Sequence, residues 1–147
     1  IETDECINDV KPTCETVFHL GILRQRKEVN VVLHFQSPYA TAIACGEPAD
    51  YNFNVIIEVP VYIGPPAVVE YRPPGSPELA QATIEAMREH DMVILRNHGL
   101  VTVGKDFNDA IQKAVFFELA CQILLTQRQY VPLSPEAIPW LRAAGKA

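Results

Sequence analysis

Several features that set a chain apart from ordinary globular proteins are missing from this sequence. Its 147 residues contain no run of about 18 apolar residues, which argues against a transmembrane helix. The first ten residues, IETDECINDV, are acidic and lack the basic and apolar segments of a signal peptide, and no initiator Met precedes them. We therefore expect a cytoplasmic protein without membrane association. The missing Met is typical of a fragment or a processed piece.

Positive charge is scarce. The chain has 12 Lys and Arg against 18 Asp and Glu, a net charge of -6 and a pI of about 5.1. This balance argues against non-specific nucleic-acid binding, which requires a basic surface. It leaves room for a phosphorylated small molecule, because an acidic protein can still carry a local positive field.

Paired cysteines are absent as well. The four cysteines form no CxxC motif, which favours reduced thiols in a cytosolic protein: Cys6, Cys14, Cys45 and Cys121. Hydrophobic residues make up 48% of the chain and charged residues 20%, as in ordinary globular proteins. The length is enough for one domain with a sizeable core.

The stretch Val29–Cys45, VNVVLHFQSPYATAIAC, predicts a strand followed by a short helix of small residues. Its period of two places His34 and Gln36 on the same strand face. Ser37 and Pro38 end the strand and suit the cap and first position of a helix. An imidazole here can bind a ligand or merely satisfy a buried hydrogen bond, and the stretch alone leaves both interpretations open.

Helical and strand patterns alternate along the rest of the chain. Helices are predicted from Thr13 to Arg26, from Ser76 to His90 and from Asp106 to Gln129. Val55–Ile63 is predicted as one strand or as two short pieces split by Pro60. Further strands are predicted at Val68–Tyr71, Met92–Leu95 and Leu100–Val103, the last two joined by a tight turn. Interleaved elements with hairpin connections favour an α/β fold with a mixed sheet between helices.

The last of these helices is long and rich in apolar residues. Five of them recur at a spacing that predicts one packing face: Phe107, Ile111, Val115, Leu119 and Ile123. We expect this face to be buried.

Three predicted elements place polar groups where they could converge. Glu15 begins the first helix, His34 and Gln36 share a strand face, and His98 lies in the turn RNHG. Imidazole and carboxylate groups are the ligands that zinc prefers. Structural roles remain open: Glu15 can complement the helix dipole, and His98 can bond within its turn. Structural roles are favoured for the two remaining histidines, His19 and His90.

Three segments, in this order and spacing, resemble the class II aldolase/adducin family: PTCETVFH, VNVVLHFQSPYATAIA and VILRNHGLVTVGKDFNDAI. The third segment is the most specific, and the most similar members are L-fuculose-phosphate-type aldolases. The resemblance implies a three-layer α/β fold with a central mixed, largely antiparallel sheet flanked by helices. It also implies a single domain over residues 1–147 that lacks the family's N-terminal part.

The resemblance assigns roles to individual residues. It implies that Glu15 is the catalytic acid/base, that His34 and His98 hold a zinc or other divalent ion, and that Thr13 and Cys14 bind the substrate phosphate. Tyr62 is the candidate for a tyrosine that contacts substrate, and Tyr39 and Tyr62 can also be core or interface residues. Family members form cyclic tetramers with the site at a subunit interface, so we expect a homotetramer.

Two positions depart from the family pattern. Where the family has His-x-His, this chain has His34-Phe35-Gln36, and an amide oxygen is a weaker zinc ligand than imidazole. Cys14 stands where the family has a hydroxyl, and a thiol is a poorer hydrogen-bond donor. The Gly-Asn phosphate loop of the family is absent from this chain. Whether Gln36 is a ligand stays open.

The resemblance predicts a zinc-dependent carbon–carbon lyase. The expected reaction cleaves a sugar phosphate similar to L-fuculose 1-phosphate into dihydroxyacetone phosphate and an aldehyde. Two alternatives remain: a non-catalytic, adducin-like assembly domain, which the glutamine would suit, and a sugar-phosphate epimerase or dehydratase of the same family.

Overall fold

A computed structural model describes residues 9–145 of the chain. Five α-helices and four strands follow in the order α1 (Thr16–Gln25), β1 (Val31–Phe35), α2 (Pro38–Ala44), β2 (Ala67–Val69), α3 (Pro77–Ala86), β3 (Met92–Leu95), β4 (Gly99–Gly104), α4 (Phe107–Thr126) and α5 (Ala137–Ala144). A short 3-10 helix, Pro48–Asp50, and a π-helical turn, Val59–Ile63, lie between α2 and β2. Cys6 lies outside the described residues.

The strands form one sheet in the order β1-β4-β3-β2. β1 pairs with β4, and β4 with β3, in antiparallel fashion, whereas β2 and β3 are parallel. The hairpin of β3 and β4 closes through a tight turn at residues 96–98, as the Asn-His-Gly sequence predicts. The predicted mixed, largely antiparallel sheet is therefore confirmed.

Helices cover both faces of the sheet, which gives three layers. The period of two in β3 sends Val93 and Leu95 to one face and Met92 and Ile94 to the other. The first pair packs with residues of α1 and α3, such as Phe18 and Leu79. The second pair packs with residues of α2 and α4, such as Ile43 and Phe117. The central strands are thus buried on both sides, as their continuous apolar runs indicate.

The strand predicted at Val55–Ile63 is wrong. Its second half forms the π-helical turn, in which Val61 N–H donates to Ile57 and Gly64 N–H donates to Val59. Pro60 has no N–H for a strand ladder, and Gly64, with φ of 78°, ends the turn in a left-handed conformation. Val59, Pro60 and Ile63 are buried all the same. The apolar, β-branched composition therefore does not require an extended backbone here.

The packing face predicted for α4 is also wrong. Phe107 is 73% exposed, Val115 59% and Leu119 42%, and Ile111 is exposed as well. The buried face instead carries Ala110, Lys113, Phe117, Ala120, Cys121 and Leu124. Two of these are alanines, which let the helix axis approach the sheet and α2 closely. Of the predicted face only Ile123 is partly buried.

The beginning of α1 also differs from the prediction. The residue at the cap position is Glu15, two residues after the predicted Thr13. None of the helices described between residues 9 and 145 combines the length and apolar character needed to span a bilayer.

Candidate metal centre

Glu15 lies at the end of α1 that faces the sheet. It caps the helix by position, without a side-chain bond to the helix backbone, and only 7% of its side chain is exposed. Its own N–H donates to Oγ1 of Thr13 at 3.3 Å. The carboxylate therefore makes no capping hydrogen bond and is buried in the protein, where an unpaired charge is energetically costly.

His34 presents one ring nitrogen to the carboxylate. Its Nδ1 is 2.8 Å from the carbonyl oxygen of Leu100 on the paired strand β4. Because a carbonyl only accepts, Nδ1 carries a proton, and Nε2 is the ring nitrogen left to face the carboxylate. Nε2 lies 3.2 Å from Oε2 of Glu15. A histidine whose other nitrogen is held by a carbonyl is the usual arrangement of a metal ligand.

His98 reaches the same point from the turn between β3 and β4. Asn97, with φ of 55°, is the one non-glycine residue described in the left-handed region, which asparagine tolerates. Arg96 N–H donates to Val69, and Asn97 N–H donates to Ala44, so neighbouring elements hold the turn. Nε2 of His98 lies 3.5 Å from Oε1 of Glu15.

The three side chains form a compact donor group. One donor atom from each of Glu15, His34 and His98 lies within 4.8 Å of the others, and the two imidazole rings meet edge to face at 4.9 Å. Oε1 of Glu15 and Nδ1 of His98 are buried without a hydrogen-bond partner. Buried polar atoms are nearly always satisfied, so unpaired ones beside a set of nitrogen and oxygen donors fit a divalent cation.

Burial also shapes the charge of the imidazoles. Loss of water lowers the pKa of His98 below its usual value, against the opposing field of Glu15. Burial and the neighbouring His34 likewise lower the pKa of His19, which stacks on Phe18 nearby. The neutral imidazole that this favours for His98 is the form that binds metals. His19 is not a member of the donor group.

Gln36 lies beside the cluster, at the end of β1. Its Nε2 donates to the carbonyl oxygen of His98 at 2.7 Å, and the residue as a whole is exposed. The structure therefore places Gln36 in contact with the turn that carries His98.

The two candidate phosphate-binding residues precede Glu15. Thr13 is exposed and accepts the N–H of Glu15, and Cys14 is exposed beside Gly75 at the start of α3. A Cβ at Gly75 would lie 3.1 Å from that of Cys14, so the glycine permits this close approach. Both residues are exposed and directly precede Glu15 in the chain.

Tyr62 is not part of this group. It stacks on Phe116 and lines a cavity of about 970 Å³ together with Asp91, Lys113 and Arg142. Asp91 directly precedes β3 and lies at the end of the sheet where Val31 of β1 pairs with Gly104 of β4. His34 pairs with Val101, near the opposite end of these two strands. The cavity and the metal cluster thus lie at opposite ends of the sheet.

One residue that supports the site gave no local signal in the sequence. Glu118 of α4 accepts hydrogen bonds from the Ser37 hydroxyl and from the backbone N–H groups of Tyr39 and Ala40, at 2.6 to 2.9 Å. It therefore caps α2, directly after the strand that carries His34. The pattern of α4 could not reveal this role, because the partner lies 78 or more residues away.

The chain is similar in sequence and in structure to known proteins. The family model described as Class II Aldolase and Adducin N-terminal domain matches residues 2–125. The L-fuculose phosphate aldolase of Methanococcus maripaludis is 35% identical over 130 residues, which cover 83% of this chain and 69% of that protein. The 3-oxo-tetronate 4-phosphate decarboxylase of Haemophilus influenzae is 31% identical over 119 residues, which cover 79% and 57%. The crystal structure of YgbL from Escherichia coli superposes with a TM-score of 0.82 at 26% identity, over 94% of this chain and 69% of that one.

Proposed function

The chain belongs to the class II aldolase and adducin family, and from this premise we propose that it is a divalent-metal-dependent lyase that cleaves a carbon–carbon bond of a sugar phosphate. The convergence of Glu15, His34 and His98 from three separate elements carries the proposal. Zinc is the proposed ion, because two imidazoles and a carboxylate suit it. The proposed substrate resembles L-fuculose 1-phosphate, in line with the relatives of that name.

His34 and His98 would hold the ion, and Glu15 would share in holding it until substrate arrives. When bound, the ion supplies Lewis-acid stabilisation of the negative charge that develops on substrate oxygen. Glu15 is placed to move the proton on carbon, since its carboxylate is buried and lies at the centre of the group. Thr13 and Cys14 would bind the phosphate from the exposed side. The expected products are dihydroxyacetone phosphate and an aldehyde.

A second lyase reaction is supported by a specific observation. Relatives at 31% to 33% identity are named 3-oxo-tetronate 4-phosphate decarboxylase. Loss of carbon dioxide from a 3-oxo acid leaves the electron pair of the broken bond on carbon 2, from which it delocalises onto the 3-oxo oxygen as an enolate, so the same donor group would serve. The adducin-like assembly role and the epimerase or dehydratase reaction remain further alternatives.

The assembly proposed for the chain is a cyclic homotetramer with sites at subunit interfaces. Two observations support an oligomer. Tyr62 lies at the other end of the sheet from the metal cluster, so a role on substrate would require it to come from a neighbouring copy. In addition, α4 exposes an uncharged apolar face, Phe107, Ile111, Val115 and Leu119, of the kind that interfaces bury.

The first test is the metal content of purified protein by elemental analysis, with His98→Ala as the variant and His90→Ala as the control. We expect about one divalent ion per chain, retained in the control and lost in His98→Ala. Protein with that metal is then given L-fuculose 1-phosphate and a 3-oxo acid phosphate in parallel. Dihydroxyacetone phosphate supports the aldolase and carbon dioxide the decarboxylase, whereas absence of metal from the unaltered protein would favour the assembly role.

A further inference from the structure

The side-chain amide of Gln36 is committed to the backbone of the turn that carries His98. Its Nε2 lies 2.7 Å from the carbonyl oxygen of His98, and since a carbonyl only accepts, Gln36 must present its NH₂ group there. We propose that Gln36 is a positioning residue that holds His98 in place, and that it is not itself a ligand of the metal. The inference rests on the metal site proposed above.

The turn at His98 is held on both sides by hydrogen bonds. Asn97 adopts φ of 55°, a left-handed conformation that asparagine tolerates. The N–H of Asn97 is held by Ala44 of α2, on one side of the turn. The side-chain amide of Gln36 donates to the carbonyl oxygen of His98, on the side of the turn that faces β1. The two contacts together define the direction in which the His98 ring leaves the turn.

The stem of Gln36 reaches this carbonyl across Gly99. A Cβ at Gly99 would lie 2.9 Å from Cγ of Gln36 and 2.8 Å from the carbonyl oxygen of Phe35. Since neither contact is tolerable, the glycine is what lets the end of β1 and the stem of Gln36 pack against the turn. Packing against Gly99 therefore sets the conformation of the Gln36 side chain, and this places its amide group at the carbonyl oxygen of His98.

Before substrate binds, the donor set is complete without Gln36. In that state Glu15, His34 and His98 would supply three protein ligands, the number found in catalytic zinc sites, which keep a position open for water or substrate. An amide that restrains a ligand-bearing turn acts through the ligand, as partners outside the coordination shell do. We thus expect the glutamine to tune metal affinity without changing the set of ligands.

The first arm of the test uses metal-free protein, so that it is independent of any metal. Gln36→Met keeps a stem of similar length over Gly99 and removes the donor, and Gln122→Met on the exposed face of α4 is the matched control. Amide hydrogen exchange at residues 97–99, followed by NMR, should accelerate about tenfold in Gln36→Met alone. Exchange equal to that of the unaltered protein would overturn the positioning role.

The second arm follows cobalt(II) as the metal probe, because its visible absorption reports the ligand set. We expect Gln36→Met to keep the band positions of the unaltered protein while binding about tenfold more weakly. Shifted bands in Gln36→Met would show that this side chain is a ligand and would overturn the inference.

The two arms separate this inference from the proposed function. If the unaltered protein bound no cobalt, the proposed metal site would fail, and the exchange experiment would still decide whether Gln36 holds the turn. If cobalt bound with unchanged exchange in Gln36→Met, the metal site would stand and the positioning role would fall.

Discussion

The carboxylate of Glu15 lies 3.2 Å from Nε2 of His34, with 7% of its side chain exposed. A buried carboxylate so close to an imidazole nitrogen forms, together with His98, a set of oxygen and nitrogen donors that suits a divalent cation. We predict that Glu15→Gln lowers metal affinity by on the order of tenfold and turnover by about 10²-fold or more. Isothermal titration and activity assays check this. The exposed Glu78, in the first turn of α3, gives the control Glu78→Gln; equal losses in both variants would contradict the prediction.

Asp91 joins two cations at the opposite end of the sheet. It accepts from Arg26 at 2.8 Å and from Lys113 at 2.8 Å, and the Lys113 side chain is only 8% exposed. We predict that Asp91→Ala destabilises the fold by about 1–2 kcal/mol, because the buried Lys113 ammonium then keeps only a 3.4 Å contact with Asp109 and its hydrogen bond to the Val103 carbonyl. Urea unfolding measures this.

Glu85 pairs with Arg88 on the surface, and both side chains are more than half exposed. Glu85→Ala is therefore the control, with an expected change below about 0.5 kcal/mol. A loss in Asp91→Ala no larger than this would mean that the Asp91 pairs contribute nothing.

Glu118 caps α2 from α4 through three hydrogen bonds. Glu118→Ala should cost about 2 kcal/mol, because two backbone N–H groups and a hydroxyl lose a charged acceptor. Gln122→Ala, one turn further along α4 and exposed, is the control. Chemical unfolding checks the difference, and equal stability of both variants would show that water replaces the carboxylate at no cost.

The cysteines should differ in reactivity. Cys121 is fully buried, and burial raises the pKa of its thiol well above the usual value, so little reactive thiolate forms. Cys14 and Cys45 are exposed. We predict that a thiol reagent labels Cys14 and Cys45 in the folded protein and Cys121 only after denaturation, as read by peptide mass spectrometry. Cys14→Ser identifies the first site, and labelling of Cys121 at a comparable rate would contradict its burial.

Stability of the metal-free protein should depend on pH near neutrality. The pKa of His98 is lowered by burial, so below about pH 6.5 the unfolded chain binds a proton that the folded chain does not. The contribution of neutral His98 to stability is fully present above the pKa of His98 in the unfolded chain. It is lost as the pH falls toward the lower pKa of His98 in the folded protein. His19 acts in the same direction. Urea unfolding at pH 7.5 and 5.5 should show lower stability at 5.5, with a smaller difference in His98→Gln; an undiminished difference would exclude His98 as a cause.

Much of the fold was predictable because its signals are local. Ser76 and Pro77 predict the start of α3, and in the structure the Ser76 hydroxyl accepts a hydrogen bond from the N–H of Leu79, as an N-cap residue does. Asp106 likewise caps α4 by accepting the N–H of Asp109. The period of two in β1 placed His34 on its strand face. In each case the deciding interactions lie within a few residues of chain.

The wrong predictions concern segments whose structure is decided by packing against residues far away in the sequence. The sequence of α4 offers two apolar faces, and the one with larger side chains stays exposed, because the alanine-containing face fits against α2 and the sheet. The Val59–Ile63 segment is apolar enough for a strand, yet it folds as a turn against α4 and α5.

The residue types of the candidate site and their family pattern were determined by the sequence alone: a glutamate at a helix start, a histidine on a strand and a histidine in a hairpin turn. Only the tertiary structure decided that Glu15, His34 and His98 meet within 4.8 Å and that Gln36 faces the His98 carbonyl. It also set Tyr62 apart from them. The physical reason is that His98 lies 83 residues after Glu15, 64 after His34 and 62 after Gln36. No local preference encodes contacts over such separations.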